Sequence, residues 1–220
     1  MRKTNTIIVI LCVLMTSTAF AKKSLLQHIA KPSRKHNAPI VTTPSDLTGF
    51  DKNPDEVKQL IADALELGDQ QLAYKFGSTD PRNHGMDCSG AISYLLKHAN
   101  IRDVPRRADE IYKWAWKKGE FNAVNSHHFG TFEFSKLKPG DLLFWSGTYP
   151  VKRDPAVTHV MLYIGRDKHN RPLMFGANSG GTYLGKSQYG VSVFDFKLPS
   201  AKSKVRFLGY ACIPHLSCQG

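Results

Sequence analysis

No apolar run in this chain is long enough to cross a bilayer: the longest, Ile7 to Met15, has nine residues, against the roughly 20 a spanning helix needs. A multi-pass membrane protein is thereby excluded. No fixed-period repeat or low-complexity tract is present, which removes solenoids, collagen and coiled coils. Nothing reads as a helix-turn-helix, a zinc finger or an RNA-binding signature. Acidic residues are scarce, 18 Asp and Glu against 30 Lys and Arg, and cysteines number only four in 220 residues. What is present, 41% hydrophobic and 22% charged residues, fits one globular domain with appendages.

The chain opens with Arg2 and Lys3, then the apolar run, then Ala19-Phe20-Ala21, a basic, apolar and small-residue order that reads as a secretory signal cut after Ala21. Cys12 lies inside the run behind Leu11, which argues against a lipoprotein. The expected mature protein is exported to the periplasm or the extracellular space. Loss of Arg2 and Lys3 lowers the net charge from +12 to +10. In an exported protein such a charge suits an anionic envelope better than nucleic acid, because long-range attraction does not depend on sequence. Equally, the charge serves solubility.

Three cysteines remain, an odd number for an oxidising compartment. Cys212 and Cys218 stand six apart around Pro214 and are the natural pair, a short bridge contributing about 2 kcal/mol by loop closure. Cys88 is left as a free thiol.

Residues 22–52 are basic, polar and without a sustained apolar period, and are expected to be an extended lead-in. The domain is expected over 53–220. Asn53 reads as an N-cap, Pro54 as the first helical residue and Glu56 as its capping-box partner, opening a helix through Val57, Leu60, Ile61, Ala64 and Leu65 to Gly68. After the loop from Gly77 to Gly85, Ile92, Leu95, Leu96 and Ala99 mark a helix over Asp87–Ala99 with Cys88 in its opening turn. A third helix runs from about Arg106 to Lys118 before Gly119, and Glu120 to Lys136 reads as irregular. Strands are expected at Asp141–Trp145, Val157–Ile164, Pro172–Ala177, Val191–Phe196 and Val205–Ile213. Helices first and strands second make an α+β domain, its helices packed on an antiparallel sheet of about five strands.

A thiol attacks as thiolate, so a working Cys88 needs a lowered pKa, a base and an oxyanion donor. A helix N-terminus contributes about 0.3–1 kcal/mol toward the anion, up to about 2 when partly buried, and one pKa unit costs about 1.4 kcal/mol. The helix tip is therefore insufficient, and an imidazole is required. Nine histidines leave several candidates, among them His127-His128 and the turn residue His169. His159, a polar residue early in an apolar strand, demands a specific partner.

Three motifs in order narrow the choice: Asp87-Cys88-Ser89-Gly90 at a helix start, Leu137-Lys138-Pro139-Gly140-Asp141-Leu142-Leu143-Phe144-Trp145, and His159-Val160-Met161-Leu162-Tyr163-Ile164-Gly165. Together with Tyr74-Lys75-Phe76-Gly77 and Val104-Pro105-Arg106, they resemble the NlpC/P60 family of papain-like bacterial cell-wall cysteine peptidases over about residues 55–213. The resemblance implies a papain-like α+β fold and hydrolysis of peptidoglycan stem peptides, commonly at the γ-D-glutamyl–diamino acid bond, through a thioester. It implies Cys88 as nucleophile, His159 as base and then acid, and Tyr74 as an oxyanion donor beside the Cys88 amide. Asp87, Ser89 and Arg106 are then expected to contact the substrate, and no metal or other cofactor is implied.

The sequence departs from the family at the third catalytic position, where the register puts Gly176. Strand alternation sends Asn178 to the same face, so Asn178 is the expected orienting residue, with His169 a weaker alternative. His127-His128 lack a spaced ligand set for a metal. Trp114 and Trp116, two apart, cannot both be buried on one helical face. The segments Asn122–Ser135 and Ser146–Ala156 are expected to shape substrate access. Three other readings stay open: a wall-binding protein on a decayed peptidase scaffold, an amidase or acyltransferase, and a secreted antibacterial effector.

Overall fold

A computed structural model of the chain describes residues 42–218. The expected leader (1–21) and residues 22–41 of the lead-in lie outside the described residues. Residues 42–52, also assigned to the lead-in, are instead part of the domain. Leu47 joins the core and bridges to Asp167, and the Thr42 amide donates to the Tyr183 hydroxyl at 2.9 Å. One buried leucine in a polar segment has no period to betray it.

Helix α1 spans Asp55–Asp69 and buries the stripe Val57, Leu60, Ile61, Ala64 and Leu65, the i, i+3, i+4 spacing of an amphipathic helix. Asn53 does not cap it: its side-chain amide turns back to the Phe50 carbonyl at 2.8 Å. Strands β1 (Ala73–Tyr74) and β2 (Gly85–Met86) form a small parallel pair that leads into α2, Cys88–His98. Asp87 caps α2, its Oδ1 accepting from the Gly90 amide at 2.7 Å. Gly90 must lack a side chain, because a Cβ there would run into the Ser78 carbonyl oxygen. Helix α3 covers Ala108–Lys118.

The remaining strands are β3 (Phe121–Ala123), β4 (Leu142–Ser146), β5 (Val157–Arg166), β6 (Pro172–Tyr183), β7 (Lys186–Asp195) and β8 (Arg206–Ala211). They form an antiparallel sheet of six in the order β3-β8-β4-β5-β6-β7. The α+β class holds, with a sixth strand contributed by β3, which lies in the stretch read as irregular. Strands β6 and β7 extend beyond their expected ends as a long hairpin. Its turn places Leu184 and Gly185 at φ of 50° and 77°, the signs a two-residue type I′ turn requires.

Period-2 alternation divides the sheet's side chains between two cores. Leu142, Phe144, Val160, Leu162 and Phe175 pack with α1, α2 and α3, while Leu143, Trp145, Met161, Met174 and Tyr210 form the opposite layer. Each fully buried Phe or Leu contributes roughly 1.5–3 kcal/mol. The opposite layer is closed by Phe129 and Phe134, so the 122–135 segment covers a sheet face and contributes no residue to the two cavities described below. Cys212 and Cys218 form a disulfide, and among the described residues Cys88 is the free thiol.

Candidate active site

Cys88 stands at the first position of α2, only 6% exposed. Strand β5 keeps β4 as its neighbour through Trp145–His159, but its register with β6 stops at Leu162–Phe175. Backbone groups of residues 158–160 are thereby left for the sulfur. The thiol lies 3.9 Å from the Thr158 carbonyl oxygen, and Sγ accepts from the Val160 amide. The sulfur thus rests on the backbone either side of His159. Helix tip and strand histidine, 71 positions apart in the chain, line two adjoining cavities.

The surroundings of Cys88 are tightly bonded. Asp87 accepts from the amides of Gly77 (2.8 Å) and Gly90 (2.7 Å), and from Arg106 Nη1 at 3.1 Å and Nη2 at 2.7 Å. The Ser89 hydroxyl joins through Arg106 Nη1 at 2.8 Å. Asp87 and Ser89, expected to face the substrate, are buried and spend their polar atoms on Arg106 and the backbone. Arg106 remains partly open and lines the cleft.

The His159 side is sparse. Its Nε2 is buried with no hydrogen-bond partner, and Trp145 packs on the ring at 5.6 Å between centroids. At the expected third position, a Cβ on Gly176 would come within 2.5 Å of Met161 Sδ, so the methionine fills the space a third side chain would use. Asn178 lines the same cavity as His159. His169 is removed from consideration: it lies in the turn beyond Arg166, at the far end of β5 from His159, roughly 3.3 Å per residue along the strand.

Burial governs the titration of the pair. It pushes the Cys88 thiol up to about 11, Asp87 adding to it, against the Val160 and Ser89 amides and Arg106, which act in the opposite sense. Burial pushes His159 down to about 4. The expected lowering of the thiol pKa is therefore absent from the resting site: removal from water outweighs the helix tip and the neighbouring donors. Between those values the site holds a neutral thiol and a neutral imidazole. The Tyr74 phenol is pushed well above its ordinary range, first by burial and then by Cys88 and Asp87, so it stays protonated and able to donate.

Two cavities meet over this pair. One, about 680 Å³, is lined by His159, Trp145, Met174, Asn178, Lys197 and Leu198 among others. The second, about 340 Å³, holds Cys88, Asp87, Ser89, Arg106, Arg107 and Arg153. Tyr74, Phe76, Tyr149 and Thr158 border both, and the Phe76 and Tyr149 rings meet edge-on at 6.4 Å. Tyr149 and Arg153 come from the 146–156 segment, as sequence reasoning expected of that loop without singling out either residue. Phe76, 76% exposed, stood inside a quoted motif, yet nothing in the motif marked it as a cleft residue.

The other singled-out residues lie elsewhere. His127 donates through Nδ1 to the Pro199 carbonyl oxygen, 2.9 Å away, and among the described residues no group of three or more His, Cys, Asp and Glu is placed to hold a metal. Trp114 is buried and donates to Asp103 at 3.2 Å, whereas Trp116 is exposed against Phe121.

Fold and site together define an α+β domain that sets a helix-tip thiol against a strand histidine. The chain belongs to the NlpC/P60 family, whose model matches residues 71–193. Two curated relatives are each 30% identical: the Gamma-DL-glutamyl hydrolase of Bacillus subtilis (strain 168) over 94 residues, and the Murein DD-endopeptidase MepH of Escherichia coli (strain K12) over 95. Each alignment covers 43% of this chain, but the chain spans only 18% and 29% of those relatives' lengths. A solved structure from Staphylococcus aureus, described as similar to a lipoprotein of the NLP/P60 family, aligns at 25% identity with a TM-score of 0.48, covering 74% of this chain and 43% of that one.

Proposed function

We propose that this protein is an exported cysteine endopeptidase of peptidoglycan stem peptides, acting at the γ-D-glutamyl–diamino acid bond. The observation that carries the reading is the Cys88 sulfur resting on the β5 backbone on either side of His159, with the Tyr74 hydroxyl in the same cleft. Family membership and the two hydrolase relatives support the substrate class. Their names differ over the bond, one glutamyl and one DD. The net charge of +10 left after loss of Arg2 and Lys3 supports attraction to an anionic wall.

Chemistry starts from the neutral pair. As the Cys88 sulfur bonds to the scissile carbonyl carbon, His159 accepts the thiol proton, and the carbonyl oxygen takes up the displaced electron pair beside the Tyr74 hydroxyl and the Cys88 amide. Collapse breaks the C–N bond, with His159 returning the proton to the departing amine. Water then attacks the thioester, His159 again accepting its proton, and the thiol is restored. Because the ion pair is not preformed, proton transfer accompanies attack. Arg106 and Asp87 act by positioning, holding the start of α2 so that the sulfur keeps its place.

The test is digestion of purified peptidoglycan followed by mass spectrometry. The wild-type protein is expected to release fragments cut after the γ-glutamyl residue, and Cys88→Ala to release at least about 10⁴-fold fewer. Fragments cut at a D–D cross-link would correct the bond, and equal release by the variant would remove the mechanism. A second reading, wall binding without turnover, is favoured by Met161 standing where a third catalytic side chain would be. It predicts that both proteins bind walls and neither releases fragments.

A further inference from the structure

No side chain orients His159 through its buried nitrogen: Nε2 is without a hydrogen-bond partner, and Met161 fills the space beside Gly176. The direction of the ring is therefore set by the strand that carries it, and that strand is irregular here. Strand β4 pairs with β5 at Trp145–His159 and next at Ser146–Val157, so Thr158 is one residue more than β4 matches, a β-bulge. A bulge re-aims the neighbouring side chain and takes backbone out of the ladder. On its other side, the pairing of β5 with β6 has already stopped at Leu162–Phe175. The extra residue offers its carbonyl oxygen to the Cys88 thiol, 3.9 Å away, and the residue after it is the histidine.

Two side chains of the 146–156 segment hold this bulge. Thr148 binds the hydroxyl of buried Thr158 twice, its amide donating at 3.1 Å and its own hydroxyl at 2.8 Å. Arg153 donates through Nη2 to the Val157 carbonyl at 2.6 Å. Arg153 is itself fixed from behind. Its Nε forms an ion pair with buried Asp109 at 3.2 Å, out of line for a hydrogen bond, and its guanidinium lies over the Tyr149 ring, 5.9 Å from the centroid. Asp109 sits in the first turn of α3 and is held by Arg107 at 2.6 Å. A planar guanidinium serves a carbonyl, a carboxylate and a ring face at once, which a lysine ammonium does not. Helix α2 thus delivers the sulfur to the bulge, while α3 holds the bulge through Asp109 and Arg153.

We infer that Thr148 and Arg153 are positioning residues for His159: by pinning the bulge at Thr158 they give the imidazole the orientation that a third catalytic side chain would otherwise supply. The inference rests on the reading of His159 as the base for Cys88. A misplacement of about 1 Å at a reacting group costs about 10²-fold. A loosened bulge therefore slows the thiol without removing either reacting group.

Alkylation of the full chain by iodoacetamide near neutral pH, read at the Cys88 fragment by mass spectrometry, tests this, because so small a probe needs no peptide subsite. Thr148→Val and Arg153→Gln are each expected to slow labelling about tenfold, and Arg153→Lys, which keeps a charged donor, to recover part of the loss. In a His159→Ala background the same substitutions should change the rate by less than about twofold, because positioning then has no base to act on. Thr148→Val preserves the side-chain shape and the backbone bond to Thr158, so it keeps the test decisive if Arg153→Gln disturbs its loop. Unchanged labelling in both variants overturns the positioning role and leaves the thiol–imidazole pair standing. Equal slowing with and without His159 overturns it as a general loosening of the fold. Equal labelling of wild type and His159→Ala refutes the pair and the positioning role together.

Discussion

Asp87, on the cysteine side of the cleft, accepts from two backbone amides and both terminal nitrogens of Arg106, whereas on the other side the buried Nε2 of His159 has no partner at all. The first arrangement fixes Cys88 through the fold itself: cap, loop and arginine bond the start of α2 into one unit. The second holds the imidazole by packing against Trp145, with Met161 filling the space beside Gly176. A hydrogen-bonded network fails as a unit when one member is lost. A packed ring tolerates loss of a neighbouring polar group more readily. The lesson is that the two halves should respond differently to substitution.

The largest expected effect is on the sparse side. His159→Ala should lower stem-peptide turnover by about 10⁴-fold while circular dichroism and the unfolding midpoint stay near those of the wild type. Next comes a contrast between positioning residues. Arg106→Ala strands the buried Asp87 carboxylate and should cost about 1–3 kcal/mol in chemical denaturation, with activity falling alongside. Asn178→Ala should change stability by less than about 0.5 kcal/mol yet lower kcat about tenfold if its amide turns to Nε2 when substrate binds. Equal stability losses in the two variants would erase the contrast.

The smallest effect is one of pH. His159 has a folded pKa of about 4 against an ordinary 6.5, so the unfolded chain binds the proton more readily between those values. The stability that neutral His159 contributes is therefore complete above about pH 6.5 and is lost as pH falls toward 4. Urea midpoints measured across that window should fall more steeply for the wild type than for His159→Gln, and parallel curves would show that the ring is not held neutral by burial.

Much of this was legible in the sequence because it depends on local period and local chemistry. The apolar stripe of α1, the helix that opens at Asp87 and Cys88 and the alternation of β4 and β5 each declare themselves within a few residues. What stayed hidden depends on distant partners. The edge strand β3 exists because β8 pairs with it, and its three residues Phe121–Ala123 carry no pattern of their own. The strand expected to end at Ala177 runs on to Tyr183 because β7 pairs with it. Asp87, Ser89 and Arg106 were found as a group, but that they would hydrogen-bond one another was decided by a guanidinium arriving from beyond α2. The resting state of the thiol was hidden for the same reason, since desolvation is a property of everything packed around the sulfur.

The central claim, that Cys88 forms a thioester by handing its proton to His159 during attack, is tested most directly by acid-quenched intact-protein mass spectrometry with a stem tripeptide. The account predicts a transient adduct equal to the acyl half of the peptide, mapped to the Cys88 fragment and absent from both Cys88→Ala and His159→Ala. Undiminished hydrolysis by Cys88→Ala, or an adduct that forms at the wild-type rate without His159, would contradict it.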